Sequence, residues 1–197
     1  MSFQQFTFPD VARNLGLTLR DADLFAAANP LPVRPEFQAD IMQNAALARA
    51  IDTEKARSEF LIAPVLLELH KLLNRSFGLF SGVELNADSS RGLNGVCDFV
   101  LTRDTMQFVV TTPILAITEA KNDNVRSGLG QCIASMVAAQ MLNEIAGRPT
   151  TIYGVSTTGT DWQFMRLVAS ELTLDRQLYF IDNLGKILGV LKQIVQS

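Results

Sequence analysis

The sequence predicts a mixed α/β fold, a central sheet lying between helices. Three observations carry that prediction. After Thr53 an apolar stripe recurs at three- and four-residue intervals (Phe60, Leu61, Val65, Leu69, Leu72, Leu73), as on one face of a helix. Three strand-like runs follow, and residues 114–118 of the third are continuously apolar, the mark of a strand buried on both faces. A second helical pattern spans 128–146 and leads into further strand-like runs, so helices and strands alternate and pack in layers.

Taken in order, the first 53 residues form an arm with Pro9, Pro30, Pro32 and Pro35. Short helices are predicted at 22–28 and 37–51, separated by the proline-rich link. The arm holds six acids and four bases, the rest 14 and 13. At that length it reads as a packed helical extension (1–53) of one domain (54–197). A helix is predicted over 54–74, kinked or broken at Pro64 because proline lacks the amide a helix needs. Strands are predicted at 79–85, at 95–102 and within 108–121. The helix at 128–146 has Leu129, Ile133, Met136, Val137, Met141 and Ile145 on one face, with Gly147 and Pro149 to stop it. Strands at 151–156 and 162–168 flank a turn, residues 177–181 add a strand, and an amphipathic helix over 185–195 turns its apolar face to the body.

A length of 197 residues supports one substantial core, and 48% hydrophobic with 19% charged residues excludes a disordered chain. The net charge of −3 excludes a basic nucleic-acid coat, though not an enzyme with one local groove. Cys97 and Cys132 lie in apolar stretches and are too few for a disulfide scaffold, which suits buried thiols in a reducing compartment. The first residues lack a signal-peptide pattern, and no apolar run approaches the ~18 residues of a membrane span. The expectation is a cytoplasmic protein with no membrane partner.

Chemistry concentrates on the third strand, Ile114-Leu115-Ala116-Ile117-Thr118-Glu119-Ala120-Lys121. Alternation puts Glu119 and Lys121 on one face, about 6.5 Å apart along the strand. Charges at the end of an apolar strand need partners or a task, because desolvating them is costly. Asp98 interrupts the second strand, Val96 to Leu101, 21 residues earlier, which allows a hairpin to bring the two carboxylates to neighbouring strands. Two such carboxylates, with the Ala120 carbonyl, suit Mg²⁺ or Mn²⁺. Lys121 beside them could orient a water or meet charge building on a phosphate.

In these residues the chain resembles the PD-(D/E)XK nuclease superfamily, whose restriction-endonuclease-like fold has an αβββαβ core. Asp98 and Glu119-Ala120-Lys121 fit its signature of an acid on the second core strand and (D/E)-X-K on the third, although Cys97 stands where the name has proline. Glu59 matches the acid that many members carry on the first helix, and Gln131 a glutamine in the helix after the third strand. The set looks most like the nuclease domains of type I restriction motor subunits and their stand-alone relatives, over roughly residues 54–168. The resemblance implies a Mg²⁺- or Mn²⁺-dependent endonuclease hydrolysing DNA. Glu59, Asp98, Glu119 and Ala120 would hold the metal, and Asp98, Glu119, Lys121 and Gln131 would be catalytic. A homodimer, paired through the apolar C-terminal helix, would supply two sites for two strands, and a partner protein would supply specificity.

Plainer readings stand beside these. Glu119 and Lys121 also suit a structural ion pair, Asp98 a turn cap or a partner for Arg103, Glu59 a solvated helix face, and Gln131 a helix cap. Lys55, Arg57, Lys71, Arg75, Arg91 and Arg126 suit a phosphate groove or scattered surface charge. At the level of the whole chain, the alternatives are a catalytically inactive DNA-binding or assembly module of the same fold, or a hydrolase of a small phosphate ester.

Overall fold

The computed structural model describes residues 2–197 and shows one seven-stranded mixed sheet in the order β1-β7-β6-β5-β4-β3-β2. The strands are β1 (Thr18–Ala22), β2 (Gly78–Asp88), β3 (Leu93–Thr102), β4 (Ile114–Ala120), β5 (Ile152–Thr157), β6 (Asp161–Val168) and β7 (Glu171–Phe180). β2, β3 and β4 form an antiparallel meander. β4 and β5 run parallel, a pairing that needs a crossover, and α5 (Val125–Ile145) provides it. β5, β6 and β7 are again antiparallel, and β1 closes the far edge parallel to β7. All seven residues of β4 are buried, as its apolar run predicts.

Helices cover both faces. On one, α5 and the N-terminal segment enclose Phe3, Val11, Val100, Ile117, Cys132, Ile133 and Met136. On the other lie α2 (Pro35–Ile51), α4 (Ala63–Leu72) and α6 (Leu184–Val195), enclosing Ile41, Leu61, Val65, Leu69, Trp162, Phe164, Ile187 and Leu191. Both cysteines are buried and free, and Trp162 is fully buried core. Among the described residues no helix is long and apolar enough to cross a membrane.

Several elements differ from the sequence reading. Residues 22–28 are not a helix; Ala22 ends β1 and a turn at 24–27 follows, with Phe25 anchoring it edge-on to Phe164. β1 escaped prediction because it is an edge strand with four of five residues exposed, so no apolar alternation marks it. It makes the arm part of the same sheet, and the arm is not solely helical. A short helix, α1 (Asp10–Asn14), was also unforeseen. The predicted 54–74 helix is three pieces: α3 (Glu54–Arg57), a π-helical turn (Ser58–Ile62) and α4. The break falls just before Pro64, where the missing amide frees a carbonyl and the helix widens. Residues 108–113 are a loop, not strand, exposed at 108 and 109 and running inward to a buried Pro113, and β7 extends well before 177.

Candidate functional site

β4 ends in a buried charge. Glu119 is 1% exposed, and its Oε1 accepts from Lys121 Nζ at 2.9 Å. The same ammonium reaches Glu54 Oε2 at 3.3 Å. Glu119 Oε2 has no partner, the only buried carboxylate oxygen in that state among the described residues. The other buried carboxylates are met: Glu68 by Arg34, and Asp175 by the Gln177 amide and the Tyr179 hydroxyl. Burial pushes the Glu119 carboxyl up to about 8, the Asp98 charge adds to the rise, and Lys121 offsets only part of it. For Lys121 burial acts to lower the pKa, but Glu119 and Glu54 outweigh it and hold the ammonium above its ordinary value.

Asp98 arrives from the neighbouring strand, its Oδ2 accepting from the Ala120 amide at 2.7 Å. Cys97 and Val100, three residues apart, both pack under α5, so the alternation of β3 slips once between them. The slip faces Gly82 on β2, whose φ of +64° is open to glycine and strained for other residues. Asp98, Gly82, Ser81, Ser58, Glu54 and Ala120 line a cleft of about 240 Å³, with Lys55 on it.

The helices fix the rest. A Cβ at position 128 would lie 2.8 Å from Lys121 Cγ and 2.4 Å from Ser156 Oγ, so the lysine stem lies against a bare backbone on α5. Asn124 caps that helix by accepting from the Ser127 amide. Asn122 accepts from Arg57 Nε at 2.9 Å and donates to the Asp52 carbonyl, tying the segment after Lys121 to α3.

Asp98 and Ala120 line the cleft together, whereas Glu119 and Lys121, joined to each other at 2.9 Å, adjoin it through Ala120 and Glu54 without lining it. Glu59 stands apart: it is exposed and paired with Lys55 at 2.7 Å, and Glu54 is the helix acid that reaches the cluster. The two lie five residues apart, roughly 140° around a helix, so they face different ways. Gln131 is half-buried in the second turn of α5 with no side-chain hydrogen bond among those described, and Asn124, not Gln131, is the cap. The groove cations divide too. Lys55 lines the cleft and Arg126 is exposed in the first turn of α5. Arg57 is 13% exposed and held by Asn122 and Asp52. Lys71 and Arg75 lie at the far end of α4, about 25 Å from Glu54 at helical rise, and Arg91 sits in the β2–β3 turn. Sequence reading missed Glu54, Ser81, Gly82 and Asn122. Glu54 carried only the signal of an acid behind a Thr53 N-cap, which the helix dipole already explains.

Among the described residues no three His, Cys, Asp or Glu side chains gather as a metal cage. The fit to Mg²⁺ rests on other features. Glu119 Oε2 is unmet, and Asp98 spends Oδ2 on an amide while Oδ1 makes no described bond. Mg²⁺ commonly takes one or two carboxylates and keeps water or substrate phosphate for the rest, so the donors present suit it.

Comparison with family models, curated proteins and solved structures finds no match to this chain. Fold and site define an α/β protein whose central strand ends in a buried Glu–Lys pair beside a second strand's aspartate.

Proposed function

We propose that the protein is a metal-dependent nuclease with a restriction-endonuclease-like core, hydrolysing phosphodiester bonds in DNA. The order α3/α4-β2-β3-β4-α5-β5, with β4 and β5 parallel, supports that core. The observation that carries the activity is the buried, unpartnered Glu119 Oε2 within one cluster with Asp98 and Lys121. Asp98 and Glu119, with the Ala120 carbonyl, would hold Mg²⁺ or Mn²⁺. When bound, the ion supplies Lewis acidity toward a phosphate oxygen and a more acidic water.

The chain's own groups do the remainder. Lys121, kept charged by two carboxylates, presents its ammonium where negative charge builds on the phosphate or where a water must be oriented. The Ala120 amide fixes the Asp98 carboxylate so that its free oxygen keeps one direction. Ser58 and Ser81 offer hydroxyls on the cleft wall to phosphate oxygens.

A second reading, a non-catalytic DNA-binding or assembly module, is favoured by the scarcity of cations at the cleft, where Lys55 is already paired with Glu59. Cleavage of plasmid and oligonucleotide DNA with Mg²⁺ or Mn²⁺, alongside metal titration calorimetry, separates the two. The nuclease reading expects metal-dependent nicking and binding heat that vanishes in Asp98→Asn. Metal binding without cleavage supports the module, and no binding up to millimolar metal removes the metal site.

A further inference from the structure

The apolar face of α6, which the sequence offered for pairing, is spent inside the molecule, with Ile187, Leu188, Leu191 and Ile194 fully buried. Exposed apolar side chains are scattered over several elements, α2 and α4 among them, and the most exposed of them lies on the loop between β3 and β4. Phe108 there is 99% exposed, and Met106, Val109 and, at the end of α5, Ile145 are exposed too. Beside Phe108 runs a groove of about 430 Å³ whose walls are mainly apolar, from Val83, Leu85, Val109, Val110, Ile114 and Leu142, with Glu84, Asn86 and Thr112 as its polar part. Val83 and Leu85 belong to the edge strand β2, and Leu142 lies one turn before Ile145.

We propose that a second copy of this chain occupies the groove, each Phe108 ring inserting into the other copy's groove about a two-fold axis. The ring and the groove adjoin on one surface, as an isologous contact requires. An apolar cavity of about 150 Å³ accepts a benzene ring, so this groove has room for a phenyl side chain. An aromatic side chain buries about 150–250 Å² and covers a similar area of its receptor. Two reciprocal insertions then cover on the order of 600–1,000 Å², and Met106 and Ile145 at the rim add to it, toward the ~1,200 Å² at which specific interfaces begin. That predicts a weak, concentration-dependent dimer.

The groove reaches Ile114, at the opposite end of β4 from Glu119, about 17 Å along the strand. Each cleft therefore lies a strand's length from the proposed contact, and the dimer does not depend on the nuclease reading.

Sedimentation equilibrium on the whole chain, from about 1 to about 500 µM, tests the proposal through mass action. Phe108→Ser removes the ring from a fully exposed position, and Val83→Arg blocks the groove; thermal melts confirm that each is folded. The wild-type chain should dimerise, and each variant alone should associate at least tenfold more weakly. An equal mixture should associate more strongly than either variant alone, because one intact ring then meets one intact groove. A wild-type chain that stays monomeric throughout overturns the proposal, as does Phe108→Ser dimerising like wild type or a mixture showing no gain. A monomeric wild type that binds phosphatidylcholine vesicles through Phe108 also overturns it, assigning the loop to a lipid surface.

Discussion

At its first residue β4 is gripped from both sides by one buried amide, whereas at its sixth it carries a buried carboxylate with one oxygen unmet. Asn143 of α5 accepts from the Ile114 amide and donates to the Ile114 carbonyl, both at 2.8 Å. Both side chains are buried polar groups on or against the same strand. Asn143 is satisfied within the chain, so it is explained by architecture. Glu119 is not, and an unmet buried carboxylate oxygen costs free energy that a ligand, a proton, a bound cation or an ordered water can recover.

The comparison is broken most sharply by exchanging the consequences of mutating each end. Glu119→Gln and Lys121→Met should each lower DNA cleavage by on the order of 10²–10³-fold, the usual scale for removing a preorganised transition-state group. Glu119→Gln should melt at or above the parent, whereas Lys121→Met, which leaves the buried Glu119 carboxyl without its cation, should melt at or below it. Asn143→Ala should do the reverse, losing about 2–4 kcal/mol of stability because two buried backbone groups lose their partners. Its cleavage rate per folded molecule should hold. Urea titrations paired with single-turnover cleavage read both quantities, and an inactive but fully stable Asn143→Ala would erase the contrast.

Proton linkage gives the next effect. A carboxyl with a folded pKa near 8 and an ordinary value of 4.5 holds its proton better in the folded state. Its stabilising contribution is complete below about 4.5 and is lost as the pH climbs through about 8, a change on the order of a few kcal/mol. The metal-free protein should therefore lose stability between pH 5 and pH 8. Glu119→Gln should flatten that slope, and Mg²⁺ should restore stability at the alkaline end by binding the charged form. A slope unchanged by Glu119→Gln would move the titration elsewhere.

What the sequence showed, and what it hid, follows the same division between local and non-local causes. Glu119, Lys121 and Asp98 were legible because charges break an apolar strand pattern, a contrast visible along the chain. Pro64 likewise announced an interruption of the helix, read as a kink or a break, which takes the form of a widened turn over Ser58–Ile62. Glu54 was not legible, since its capped first-turn position gave it a sufficient local reason, and Glu59 drew attention through resemblance alone. Gly82 acquires meaning only from its pairing opposite Asp98, and β1 only from β7. Phe108 and Val109 are good strand formers, so residues 108–113 read as strand, yet no neighbouring strand receives them.

A smaller effect is expected at Gly128, which the comparison assigns to the unmet end. Alanine is the better helix former by about 1 kcal/mol, so Gly128→Ala gains locally. Its Cβ, however, displaces Lys121 Cγ or Ser156 Oγ. The flexible lysine stem is the softer of the two, because Ser156 is buried and held by the Val125 carbonyl at 2.7 Å. Cleavage should fall about tenfold, a displacement cost typical of misplaced catalytic groups, while stability changes little. Adding Ser156→Ala clears the second obstacle and gives the new methyl somewhere else to go. The double variant should regain part of the rate if displacement of Lys121 is the cause, and none if the helix itself has shifted.

The smallest effect distinguishes the two helix acids. Glu54→Gln removes one of the two carboxylates that hold Lys121, and that carboxylate is about half exposed, so solvent already screens much of the interaction. A loss of roughly three- to fivefold in cleavage is the scale expected of a screened charge near a reacting group. Glu59→Gln breaks only a surface pair with Lys55 and should leave the rate within about twofold. Rates measured at low and at high salt sharpen the test: the Glu54→Gln effect should shrink as salt screens the exposed half of the contact. A larger loss at Glu59 than at Glu54 would mean that the helix turns on substrate binding, bringing to the cluster the acid that now faces outward.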